Sequence, residues 1–230
     1  MRKLLGSIVL VFSVTPVVAA DLYLPDFGNS AIAYAGPAHD WTGFYAGVYG
    51  SYTGGITSTT NTSSGVVTDV TMRGAGLGVT VGTNYQYEQL VFGAEADLGW
   101  SGATGTTACV ILTTSDCSAD IRWSGTLRAR AGIALDSVLL FGTAGLAVAE
   151  GVGKTTPALT GTDGIYSAGF VGWTAGVGAE VKVTEAISLK AEYNYVDYGK
   201  KTAPVGALGN DPYDIHAKAH IGKLGINYHF

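Results

Sequence analysis

Charge is scarce in this chain. Only 13% of its 230 residues are Asp, Glu, Lys or Arg, about half the usual share of roughly a quarter, too few to clothe a soluble protein. Positive charge is scarcer than negative, with 13 Lys and Arg against 18 Asp and Glu and a formal net charge of −5. No basic cluster is present, which argues against nucleic acid as a partner. Cysteine is limited to Cys109 and Cys117. A metal site would need further ligands near them, and none is obvious, so neither a metal nor a cofactor is expected. Long apolar runs are missing as well. Beyond the first twenty residues none approaches the ~18 residues of a spanning helix, which excludes a helical membrane protein. What is abundant is glycine, 34 of 230 residues, about twice the usual ~7%. An apolar, glycine-rich chain without spanning helices points to a membrane β-barrel.

Residues 1–20 read as a cleaved secretory signal. Arg2 and Lys3 form a charged start, Leu4 to Val18 an apolar stretch, and Ala19-Ala20 a small-residue cleavage site. The apolar stretch is too short to span a membrane comfortably. Removing Arg2 and Lys3 takes the net charge from −5 to −7. Residues 21–40, broken by Pro25 and Pro37, are expected to be a periplasmic lead-in, and residues 41–230 the barrel. In an exported protein Cys109 and Cys117 are expected to form a disulfide. Such a bridge closes a loop of about nine residues and contributes roughly 2–3 kcal/mol.

Apolar and polar residues alternate with period two, the mark of a strand with two different faces. In "ISLKAEYNYV", Ile187, Leu189, Ala191, Tyr193 and Tyr195 share one face and Ser188, Lys190, Glu192 and Asn194 the other. In "IRWSGTLRARAGI", Trp123, Leu127, Ala129, Ala131 and Ile133 lie opposite Arg122, Ser124, Thr126, Arg128 and Arg130. "LVFGAEADLGW" sets Leu90, Phe92 and Leu98 against Glu95 and Asp97. "GFVGWTAGVGAEVK" sets Val171, Trp173 and Val177 against Glu180 and Lys182, and "KLGINYHF" sets Leu224, Ile226, Tyr228 and Phe230 against Lys223 and Asn227. Three weaker segments, near 42–53, 71–82 and 138–149, complete eight strands. Links at 83–88, 135–137 and 183–186 are short. Those at 54–70, 101–119, 150–167 and 199–216 are long and polar. That asymmetry predicts an all-β, eight-stranded antiparallel up-and-down transmembrane barrel with short periplasmic turns and long extracellular loops.

A soluble lipocalin-like barrel also has eight up-and-down strands, but with its apolar face inward. The sparse charge and the aromatics near strand ends (Trp100, Trp123, Trp173, Tyr228) favour apolar faces turned to lipid. Glu95, Asp97, Arg122, Arg128, Arg130, Glu180, Lys182, Lys190, Glu192 and Lys223 then point into a lumen just wide enough for side chains to fill. Buried charges need partners. A closed lumen of ion pairs is the simplest expectation, a narrow channel the alternative. Glu95 and Asp97 are the first-choice partners of Arg128 and Arg130, because they stand on the preceding strand.

The stretches "WTGFYAG", "VFGAEADLGWS", "GTLRARAG", "GWTAGVGAE", "SLKAEYNYVDYG" and the terminal "YHF" together resemble the small outer-membrane β-barrel family common in alphaproteobacteria, the OmpA-like transmembrane-domain and opacity-type porin-like barrels. The resemblance spans about residues 41–230. It implies localisation in the outer membrane and a role in envelope integrity and surface antigenicity. It also implies that Leu224, Ile226, Tyr228 and Phe230 form the assembly signal read by the barrel-insertion machinery. Outer-membrane lipid and lipopolysaccharide are the expected surroundings of a monomer. Cleavage after Ala19 would leave Ala20-Asp21 as the start, the dipeptide through which some similar barrels are joined to peptidoglycan. Relatives with pore or ligand-binding activity keep a channel, or an adhesin or receptor acting through the outer loops, as alternatives. Some eight-stranded barrels act on lipid A, but His216 and His220 have no serine of distinctive context beside them, and no enzyme activity is expected.

Overall fold

A computed structural model describes residues 39–108, 116–156, 164–205 and 211–230. The expectations for residues 1–20 and 21–38, including Ala20-Asp21, lie outside the described residues, as does Cys109. Eight strands run in chain order: β1 (Gly43–Asn61), β2 (Val67–Tyr87), β3 (Leu90–Ala108), β4 (Asp116–Leu135), β5 (Val138–Thr156), β6 (Gly164–Lys182), β7 (Ile187–Ala203) and β8 (Tyr213–His229). Each pairs antiparallel with its neighbours, and β8 returns to β1 to close the barrel.

The tight links sit at one rim, called the lower rim. β2 joins β3 through Glu88-Gln89 and β4 joins β5 through Asp136-Ser137, with Glu88 (φ 54°) and Asp136 (φ 57°) in the left-handed conformation that so short a link demands. Links at the upper rim are shorter than the sequence suggested, because the strands run on into the Thr- and Ser-rich stretches. At 17 to 21 residues the strands exceed the ~9–11 that a tilted spanning strand needs. Thr and Val favour extended backbone whether or not one face meets lipid, so a stretch that looks like loop by its polarity remains ladder.

The apolar face is outside. Phe44, Val48, Leu77, Leu127, Val171 and Leu224 are all well exposed. The register sets Leu77 beside Trp100 and Trp100 beside Trp123, part of an upper aromatic ring with Tyr52 and Trp173. Tyr85, Phe92, Tyr228 and Phe230 form its counterpart below. Such rings mark the two interfaces of a bilayer.

Alternation misplaces one cation. Arg122 is exposed rather than inside the lumen. The β4–β5 ladder passes from Ile121↔Gly151 to Trp123↔Glu150, leaving Arg122 as the extra residue of a bulge. Opposite it on β3 the ladder skips from Trp100 to Ala103. A one-residue bulge reverses the facing of everything beyond it, so Ile121 turns in. A third irregularity lies between Asp197 and Lys200, around Gly199 at φ +69°.

The ion-paired lumen, a candidate functional site

The lumen is layered. At the lower rim the Trp41 side chain is fully buried, clustered with Val91, Ala134, Leu139 and Phe141. It packs edge-on against His229 with ring centroids 5.8 Å apart. Lys182, expected in the charge network, belongs to this lower layer instead. It donates to the Asp40 carbonyl at 2.5 Å and its ammonium lies 5.3 Å from the Trp41 ring centre.

Above it lies a layer of charge. β4 delivers Arg128, 1% exposed. Its guanidinium bonds Glu95 and Glu192, reaches Asp97 at 2.6 Å, and donates to Asn194 Oδ1 at 2.7 Å and Thr143 Oγ1 at 3.2 Å. Its forked donor geometry suits several carboxylates at once. Lys190 from β7 donates to Glu95 at 2.6 Å, and Lys223 from β8 to Asp97 at 2.9 Å. Thr126 adds a bond to Asp97 at 2.8 Å. The register places Glu95 directly opposite Arg128, so the expected pairing of that arginine with β3 is observed.

Arg130 behaves differently. Gly93 is its opposite on β3, and its partner is Glu180, reached across the lumen from β6. Facing one another across a narrow barrel brings side chains together as effectively as adjacency in the sheet. The guanidinium carbon of Arg130 stacks 3.8 Å from the centre of the Phe141 ring and its Nη1 donates to Tyr45 Oη at 3.2 Å. Glu180 also accepts from Ser188 at 2.5 Å and Asn227 at 2.6 Å. Ser188 lies 2.9 Å from His229 Nε2. Its hydroxyl is buried and donates to the Glu180 carboxylate.

Glu95, Asp97, Glu180 and Glu192 thus meet Arg128, Arg130, Lys190 and Lys223, four charges against four. Without that balance burial would be prohibitive.

Sequence reasoning passed over Tyr45 and Tyr49. Tyr45 donates to Glu95 at 2.7 Å, and the Tyr49 ring centre lies 4.6 Å from the Lys223 ammonium. Both rings lie against glycines of β2: a Cβ on Gly82 would collide with Tyr45, and one on Gly78 with Tyr49. These inward glycines make room for aromatic rings, not for the arginine and lysine chains themselves. The spacing Trp41, Tyr45, Tyr49 was the available signal, since residues four apart share a strand face.

The upper lumen is mostly apolar, with threonines among its buried side chains. Val70, Met72, Ile121, Phe170, Ile215 and Ala217 form part of one buried apolar cluster there. The remaining sequence-derived positions are plainly placed. Leu224, Ile226, Tyr228 and Phe230 face outward. Cys117 lies on β4 opposite Thr107 of β3. His216 contacts Asp197 at 2.9 Å on the outer wall and His220 contacts Tyr193 Oη at 2.5 Å, so neither histidine faces a lumenal nucleophile.

An outward apolar band between aromatic rings, a charged interior and a closed antiparallel sheet define an outer-membrane β-barrel. The chain belongs to the outer membrane protein beta-barrel domain family, whose profile matches residues 27–230. It is 31% identical over 244 residues to the 31 kDa outer-membrane immunogenic protein of Brucella melitensis, covering 99% of this chain and 98% of that one. It is 33% identical to the 25 kDa outer-membrane immunogenic protein of Brucella abortus over 234 residues, 99% of this chain and 96% of the other. The 22 kDa outer membrane protein of Rhizobium leguminosarum is 32% identical over 195 residues, 84% of this chain and 80% of the relative. Among solved structures, OprG from Pseudomonas aeruginosa superposes with a TM-score of 0.54 at 15% identity, covering 84% of this chain and 98% of that one, a likeness of fold.

Proposed function

We propose that this protein is a structural, non-enzymatic element of the outer membrane, exposed as a surface antigen, with a lumen closed to solutes. The observation that carries the reading is the balanced layer of four carboxylates and four cations across the barrel at Arg128. It is backed from below by the fully buried Trp41. The Brucella relatives are named as immunogenic outer-membrane proteins, which supports the antigen part of the proposal. On the outer wall, Arg73 and Lys218 are exposed just beyond the upper aromatic ring, Arg73 paired to Gly54 and Lys218 to Ile56 on the intervening strand β1. Cations at that height suit the phosphates of lipopolysaccharide, the proposed lipid partner of the outer leaflet. Planar-bilayer recording of the refolded barrel tests the closed lumen. No discrete open levels are expected. Open levels in the wild type that change in Arg128→Ala or Glu95→Ala would replace this reading with a narrow channel.

A further inference from the structure

We infer that the upper lumen is a blind binding chamber for a small, uncharged, apolar molecule about the size of one aromatic ring. The chamber lies inside the apolar cluster and has a volume of about 110 Å³. Ile121 and Tyr198 form its floor, since both also line a separate space of about 30 Å³ that borders Asp97 and Lys223 in the charge layer. Small residues at the wall, Ala149, Gly151, Gly153 and Ala217, leave the volume unfilled where larger side chains would close it.

The lining decides the ligand class. Four threonine and serine side chains, Thr57, Thr59, Thr68 and Ser118, lie in a wall that is otherwise mostly apolar, and the Thr57 hydroxyl points to the Met72 sulfur at 3.7 Å. The charged lining groups, Asp120 and Lys154, are of opposite sign and call for no net charge on a ligand. Water needs two to four polar partners, and apolar cavities of about 150 Å³ stay dry yet accept benzene. The neighbouring wall is also incompletely laddered. β6 and β7 pair up to Trp173↔Asp197, yet both strands run on, so the segments carrying Phe170 and Tyr198 share no ladder bonds. The wall there can yield to a ligand without breaking sheet hydrogen bonds between them.

The inference rests on the sealed layer below the chamber. The full chain, refolded in lipid nanodiscs, is titrated with toluene and followed by methyl NMR. Methyls of Met72, Ile121 and Ile215 are expected to shift saturably, while those of lipid-facing Ile187 and Ile226 drift linearly as toluene partitions into lipid. Benzoate, the charged counterpart, should leave Met72 unmoved. Ala217→Leu and Ala149→Leu fill the chamber from two strands, and each should weaken toluene binding at least about tenfold, a shift of 1.4 kcal/mol. Unchanged Val91 and Leu139 shifts report that each variant is folded. Non-saturating shifts at Met72, or saturation unaltered in both variants, would overturn the chamber. Conductance of the same preparation separates the two readings. A conducting barrel with saturable toluene shifts keeps the chamber and removes the seal, whereas a silent barrel without saturation does the reverse.

Discussion

The lower and upper halves of the lumen are built on the same eight strands and the same alternation, yet their fillings are opposite. Below, Glu95, Asp97, Glu180 and Glu192 are held among Arg128, Arg130, Lys190 and Lys223 with almost no exposure. Above, the inward positions carry Val70, Met72, Phe170 and Ile215. The changeover falls where the ladders are irregular, at Arg122 on β4, at Ser101-Gly102 on β3 and around Gly199 on β7. Bulges re-aim the side chains beside them, and Ile121 and Tyr198, next to two of them, are the residues that partition the lumen. Charge closes space because long side chains reach several partners at once. Small apolar side chains leave space open.

The contrast can be tested by its energetics. Arg128→Met would remove the cation shared by three buried carboxylates, leaving Glu95 to Lys190, Asp97 to Lys223 and Glu192 with Lys190 only at 3.8 Å. Removing one partner from a buried ion pair costs about 3–5 kcal/mol, and a loss of that size is expected in urea unfolding of the refolded barrel in lipid. Ile215→Ala in the upper lumen should cost about 2 kcal/mol, the low end for such truncations, because Ile215 already borders a cavity. If the two variants proved equally costly, the halves would not differ in how tightly they are filled. The smallest effect belongs to Arg122→Ala. Ejected by the bulge, Arg122 contributes nothing to the network, and stability should move by no more than about 0.5 kcal/mol. A loss near that of Arg128→Met would return Arg122 to the lumen.

Strand faces were legible from alternation wherever the inner face is charged, as in "LRARAG" and "LKAEYNY", and with them the membership of nine of the ten expected lumen charges in the buried set. Arg122 was lost because alternation cannot see an inserted residue. The upper chamber was hidden for a different reason. In the upper half of β5, Leu146 and Val148 face lipid while Ala147 and Ala149 face inward, so both faces are apolar and no period shows. The partner of Arg130 was illegible because strand order in the sequence says which side chains are adjacent, not which meet across the lumen.

Closure of the barrel has a kinetic consequence. The β1–β8 seam runs from Tyr45↔His229 to Asn61↔Tyr213, joining the first strand to the last. Every hydrogen bond in it closes a loop through the other six strands. Until it forms, the sheet has two free edges, whose backbone groups cannot be satisfied in hydrocarbon. Seven strands therefore do not make seven-eighths of this protein. The half-built sheet cannot rest in hydrocarbon with its edges bare, and completion is a single closing event of high contact order.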